Sequence, residues 1–360
     1  MARRLVLHIG AMKSGTSFIQ NVLSAHKDSL AADHDVLWPG KRWRQQVSAV
    51  QDLIERGGPG QEPMADDGPW NRIAAEVNDW SGDAIISMEF IGPREGRKIH
   101  QILDSFPDTD VQVVMTARDL ARSIPAMWQE SVQNNATATW QEFLDDVRRE
   151  DMSKRGPGRW FWRHQGIARM CAEWQRRAGQ DRFTLITVPP SGADPALLWT
   201  RFTDFVGLPA DGVSLEVASN PSLGIASAMV MRELNLALAD AGLGRMDYQQ
   251  RVKHPIAKNG LAHRARLEPK LGLDAEWVME RGLREVETLR SLDLRVVGDL
   301  DELAPRPVRG VHTDDITEEM QLQAAVDALA AAVERYPHGK IGRAHVCTPV
   351  TDVSRMPSSA

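Results

Sequence analysis

Three groups of residues in this 360-residue chain have types and spacing suited to chemistry on an anion. The first is Gly10-Ala-Met-Lys13-Ser14-Gly15-Thr16-Ser17, a glycine-bounded segment with one lysine and several hydroxyls. Where a strand passes through such a loop into a helix, backbone N–H groups converge on one spot. The helix N-terminus adds partial positive charge there. Lys13 adds a full charge, and Ser14, Thr16 and Ser17 add hydroxyl donors, so the segment suits a dense anion such as a phosphate or phosphosulfate. The second is Arg118, which ends the apolar run Val113-Val-Met-Thr-Ala117 and precedes Asp119. A guanidinium fork binds phosphate oxygens in pairs. Its competing role is an ion pair with Asp119 or another carboxylate. The third is a choice of proton acceptor for a reacting hydroxyl. Glu89 follows the run Ala84-Ile-Ile-Ser-Met88, and His164 lies in the aromatic-basic stretch Arg159-Trp-Phe-Trp-Arg-His164. An ion pair of Glu89 with Arg94, Arg97 or Arg118 is the structural alternative. His8 reads as a strand residue facing the core or a neighbouring strand, and His26 as the end of the first helix.

These residues need elements to hold them. Leu5–Ile9 is a short apolar run that stops at Gly10, which predicts a buried parallel strand. The apolar spacing of Phe18, Ile19, Val22 and Leu23 predicts a helix over Thr16–Ala25. Further strands are predicted at Ala84–Met88, Val111–Thr116, Phe183–Val188 and Leu294–Gly298. Helices are expected at Trp70–Trp80, Glu95–Phe106, Pro195–Val206, Leu223–Ala241, Ala275–Leu292 and Gln321–Val333. The helix after Arg118 should break or start late at Pro125. Strand–helix alternation of this kind implies a parallel sheet covered on both faces. The Gly/Pro/Asp-rich stretch Gly57–Pro69 reads as a mobile surface excursion. Trp38–Trp80 and Arg159–His164 are candidate lids, and Ser153–Arg159 a basic loop between helices.

Composition excludes several classes. A net charge of −6 gives no bulk attraction to nucleic acid or anionic membrane. No apolar run reaches the ~18–20 residues of a membrane helix, so no membrane span is expected. Two cysteines, Cys171 and Cys347, make no disulfide framework and fit a reducing cytoplasm. The Cys/His set lacks metal-ligand spacing, so no metal site is expected. Residues 1–337 are expected to form one domain. Residues 338–360 are set apart as an unstructured tail, because Ile341-Gly-Arg-Ala-His-Val-Cys-Thr-Pro resembles translated adapter read-through more than evolved protein.

The order Lys13-Ser-Gly-Thr-Ser17 departs from the Walker A pattern, which places lysine after the second glycine. It resembles the 5′-phosphosulfate loop of sulfotransferases that use 3′-phosphoadenosine 5′-phosphosulfate (PAPS), with Met12 in place of the common proline. Arg118-Asp119 resembles the segment that grips the donor's 3′-phosphate in that family. Ala117-Arg-Asp-Leu-Ala-Arg122 with Trp128-Gln-Glu130, Val188-Pro-Pro with Leu198-Trp-Thr-Arg-Phe202, Asn220-Pro-Ser-Leu-Gly224 and Val297-Gly-Asp-Leu300 resemble its bacterial, actinobacterial-type branch, over roughly residues 4–305. The resemblance implies an α/β, P-loop-like three-layer fold with a central parallel sheet and a largely helical C-terminal part. It also implies PAPS as donor, adenosine 3′,5′-bisphosphate as product, and Lys13, Ser14, Gly15, Thr16, Ser17 and Arg118 as donor-binding residues. Many members carry a serine eight residues after the arginine; that position here is Ala126, and Ser123 or Ser131 is the candidate substitute. In-line sulfuryl transfer to an acceptor hydroxyl then calls for Lys13 at the leaving phosphate and Glu89, or else His164, as base. Carbohydrate, glycolipid and small hydroxylated metabolite all stay open as acceptor. A P-loop small-molecule kinase and a non-catalytic nucleotide-binding protein are the rival readings.

Overall fold

The computed structural model describes residues 1–57, 61–217 and 222–335. Six parallel strands form one sheet: β1 (Arg4–His8), β2 (Val36–Leu37), β3 (Asp83–Ser87), β4 (Asp110–Ala117), β5 (Phe183–Thr187) and β6 (Arg295–Val297), in the order β2-β3-β1-β4-β5-β6. Five of the six follow the predicted apolar runs. β2 has only two residues, too short for a periodicity to register.

Alternation on the strands divides the core. Leu5, Leu7, Ala84, Ile86, Val113, Met115, Phe183 and Leu185 face one layer of helices. Val6, Ile85, Val114 and Ile186 face the other, which includes the Thr16–Ala25 helix. The sheet is thus the middle of three layers, as the α/β expectation requires. A third apolar cluster fills the largely helical C-terminal part, where Ile225, Ala228, Met231, Val252 and Val278 pack against Ile124, Met127 and Trp128.

Two expectations are corrected. The helix after Arg118 runs unbroken over Leu120–Gln133 with Pro125 inside it. Proline removes one backbone hydrogen bond, but Leu120, Ala121, Ile124, Met127, Trp128 and Val132 are all buried along the helix, and the Asp119 side chain caps its start by accepting from the Arg122 N–H at 2.9 Å. Trp38–Trp80 is no lid. It contains the helices Trp43–Glu55 and Pro69–Asp79, whose Ala49, Val50, Leu53, Trp70 and Val77 join the sheet-facing core. Gln46 ties this layer to the strands by accepting from the Ser87 N–H at 3.2 Å. Part of the expected excursion Gly57–Pro69, and all of 338–360, lie outside the described residues. The stretch Arg159–His164 belongs to a packed helix, Pro157–Gln165, which also takes up the end of the expected basic loop.

Candidate active site

The loop 9–15 leaves β1 still attached to its neighbour. Ile9 N–H donates to the Val114 carbonyl at 2.9 Å and Ala11 N–H to that of Thr116 at 2.8 Å. A Cβ at Gly10 would collide with Thr116 Oγ1 and the Thr16 methyl, so only glycine permits this approach. Lys13 and Gly15 both have left-handed backbone, with φ of 63° and 83°. Gly15 takes that conformation without steric cost, whereas Lys13 is held there against its preference. The turn delivers the chain to the helix at Thr16, whose first N–H groups have no intrahelical acceptor. Ser14 sits inside the loop: its hydroxyl lies 2.6 Å from the Ala11 carbonyl and 2.7 Å from Thr116 Oγ1. Thr16 is buried, and Ser17 is partly exposed beside it.

His8 braces this arrangement from below. Its Nδ1 lies 2.8 Å from Ser87 Oγ on β3 and its Nε2 3.1 Å from Thr116 Oγ1 on β4. Burial lowers its pKa to about 3, so the ring is neutral at pH 7. His26 caps the end of the Thr16–Ala25 helix.

Adjacent strands bring the other residues to the same sheet edge. Met88 N–H donates to the His8 carbonyl at 2.9 Å, so β3 ends beside β1 and Glu89 follows at once. Gln20, from the Thr16–Ala25 helix, donates to Glu89 Oε2 at 3.0 Å and to the Ser87 carbonyl at 3.1 Å. Among the described residues Glu89 makes no ion pair, so the expected arginine partners do not hold it. Burial raises its pKa; Glu130 raises it further, while its own N–H, Gln20 and Lys13 act in the opposite sense.

Arg118 follows β4 on the other side of β1. It does not pair with Asp119, which bonds Arg122 instead. Arg118 Nη2 donates to the Arg122 carbonyl at 2.8 Å, and its buried Nε has no partner among the described residues. Burial, reinforced by Arg122, lowers its pKa to about 10, so it stays charged. Beside it lies a narrow recess of about 20 Å³ lined by Leu120, Trp162, Gln165, Ile167 and Leu289. Ser123, one turn into the Leu120–Gln133 helix, is buried and its Oγ likewise lacks a partner. Ala126 is partly exposed.

His164 is bonded within its own helix: its Nδ1 lies 2.8 Å from the Trp160 carbonyl. A carbonyl only accepts, so Nδ1 carries the proton. Burial lowers the pKa to about 4, and Arg163, Arg94 and Arg169 add to the fall. Its neighbour Gln165 reaches the loop, donating to the Met12 carbonyl at 2.6 Å.

Sequence reasoning missed the group that meets Lys13. Glu130 Oε2 lies 2.7 Å from Lys13 Nζ, and Glu130 Oε1 lies 3.1 Å from Lys253 Nζ. Against the upward push of burial, Lys13, Lys253 and Lys258 hold the Glu130 carboxyl far below the usual range. Lys258 in turn has its pKa lowered to about 8 by burial. Two carboxylates near one lysine are therefore shifted in opposite directions, Glu130 below the usual range and Glu89 above it.

No family model matches the chain, and no curated protein does. Among solved structures, a sulfotransferase from Alicyclobacillus acidocaldarius is similar at 18% identity and a TM-score of 0.41, over 71% of this chain and 97% of that one. No described helix is long and apolar enough to cross a membrane.

Proposed function

We propose that the chain is a sulfotransferase that moves a sulfuryl group from PAPS to an acceptor hydroxyl. The observation that carries this reading is the contiguity of β3, β1 and β4. It sets Glu89, the Lys13 loop and Arg118 along one carboxyl edge of the sheet, where ligands of open α/β sheets bind. The orphaned Arg118 Nε and Ser123 Oγ fit a phosphate, since each is a buried donor lacking an acceptor. They would hold the donor's 3′-phosphate, with Ser123 serving where Ala126 cannot. The first N–H groups of the Thr16–Ala25 helix, with the hydroxyls of Thr16 and Ser17, would hold the 5′ end. Ser14, bonded within the loop, would shape it.

For transfer, the acceptor oxygen forms its bond to sulfur as the bond from sulfur to the 5′-phosphate oxygen breaks, and that electron pair leaves with the phosphate. Lys13 meets the growing charge there, which requires it to leave Glu130. Glu89 takes the acceptor's proton, and its raised pKa suits a base working near neutral pH. Adenosine 3′,5′-bisphosphate is the product. The acceptor is a hydroxyl on a carbohydrate, glycolipid or small metabolite.

Two measurements test this reading. In thermal shift, adenosine 3′,5′-bisphosphate should stabilise the chain more than ATP with Mg²⁺; the reverse would favour a kinase. Labelled PAPS against a panel of sugars, lipids and phenols should then yield a sulfated product. Binding without transfer to any of them would leave only a nucleotide-binding role.

A further inference from the structure

The helix Glu318–Arg335 turns small side chains inward and large ones outward. Ala324 and Ala328 are buried against the body of the protein. Ala331 comes so close to the π-helix Gln249–Leu261 that a Cβ at Gly260 would collide with it. Arg264 pairs with Asp327 and anchors the helix there. On the opposite face Leu322, Val326, Leu329 and Val333 are 65%, 48%, 67% and 70% exposed. Single exposed leucines are ordinary, but four large aliphatic residues in one row mark a surface that something covers.

The spacing says what the row fits. Steps of four, three and four residues are the heptad spacing that keeps apolar side chains on one seam between two helices. Ala325 and Ala330 flank the row on either side and leave room for a second backbone to approach. The row is also complementary to itself. A two-fold axis midway between Val326 and Leu329 sets Val326 against the partner's Leu329 and Leu322 against the partner's Val333, so all four are covered at once. Charge decides the polarity. Glu318 and Glu319 are exposed in the first turn. A parallel pair would bring four carboxylates together, whereas an antiparallel pair holds the two acidic ends more than about 20 Å apart and opposes the helix dipoles. We infer that this face is where a second copy of the chain docks, as an antiparallel helix pair. The inference goes beyond the sulfotransferase reading and does not depend on it. About three turns of contact fall short of the ~1,600 Å² of a standard interface, so the pair should be weak, with a dissociation constant of roughly 1–100 µM.

The test is sedimentation equilibrium of the full chain across that range. The parent should pass from monomer to dimer. Leu329→Glu puts a charge on the seam from both sides of the axis and should leave a monomer throughout. Its melting temperature in dilute solution should stay within about 2 °C of the parent, because residue 329 is exposed in the single chain. Leu283→Glu, at an exposed leucine outside the row, should leave the dimer intact. The geometry is read by cross-linking under air in a Cys347→Ser background, which keeps only the buried Cys171. Leu322→Cys mixed with Val333→Cys should give a disulfide-linked pair, and neither alone should. A parent that stays monomeric, or a dimer that survives Leu329→Glu, overturns the proposal. Cover of the row by residues 336–360 or by another protein would show as that monomeric parent. A cross-link formed by either cysteine variant alone also overturns it, since it sets the helices parallel.

Discussion

Lys13 and Glu130 form a largely buried ion pair 2.7 Å long, and the lysine in it is the one proposed to meet the donor. Under the proposed function a carboxylate and an incoming phosphosulfate would compete for one ammonium group. Glu130→Gln removes the competitor and should tighten adenosine 3′,5′-bisphosphate. It also strips Lys13 and Lys253 of the carboxylate they share, a loss on the order of 3 kcal/mol, so the melting temperature should fall. The folded-state pKa of Glu130 is depressed, so its contribution is present above the unfolded value of about 4.3 and fades as pH drops below it. The variant should show a flatter acid limb of stability. Unchanged melting and unchanged donor affinity together would mean that the pair does not form in solution.

Arg118→Ala should weaken adenosine 3′,5′-bisphosphate far more than adenosine 5′-monophosphate. A charged hydrogen bond to phosphate contributes roughly 1.5–3 kcal/mol, or about ten- to hundredfold. Calorimetry with both nucleotides checks it. Equal weakening of the two would remove the 3′-phosphate assignment.

Lys13→Met should lower kcat on the order of a hundredfold or more, with a smaller change in donor affinity, because the charge it meets grows as the S–O bond breaks. Steady-state kinetics with labelled PAPS separates the two. A rise in KM for PAPS at constant kcat would reduce Lys13 to a binding residue.

Glu89→Gln should bind the donor normally and lose about 10²–10⁴ in turnover, the share of a general base. In the parent, activity needs the ionised carboxylate, so it should rise with pH through a pKa lying above the ordinary ~4.3 of glutamate. The variant should lack that limb. Stability moves the other way: a raised folded-state pKa means this group's contribution is lost as pH climbs from the unfolded value through the folded one. Near-parental turnover of Glu89→Gln would transfer the base assignment to another group.

His164→Ala should cost less turnover than Glu89→Gln. The ring is neutral at pH 7 and bonded within its own helix. A larger loss than that of Glu89→Gln, with the melting temperature unchanged, would make His164 the base.

The sheet was readable because β1, β3, β4 and β5 are predominantly apolar, β-branched segments followed closely by glycine, glutamate, arginine or proline. The loop was readable because glycines, lysine and hydroxyls lie together in eight residues. Glu130 was not, since one acid on an amphipathic helix looks like any solvated acid until a lysine 117 residues away is folded onto it. Lys253 was harder still, since it meets Glu130 from 123 residues further along the chain. Pro125 misled in the other direction, because the apolar residues along its helix outweigh one lost hydrogen bond.

His8 spans β3 and β4 while Thr116 holds Ser14, so a continuous line of hydrogen bonds runs from the middle of the sheet into the loop. A loop tied down in this way has little conformational freedom left to lose when an anion arrives. Donor capture should then resemble the filling of a rigid socket more than the closing of a flexible hand. Its slow event would be an exchange of partners by a single ammonium group. The association rate should therefore respond to ionic strength and to residue 130, and hardly at all to solvent viscosity.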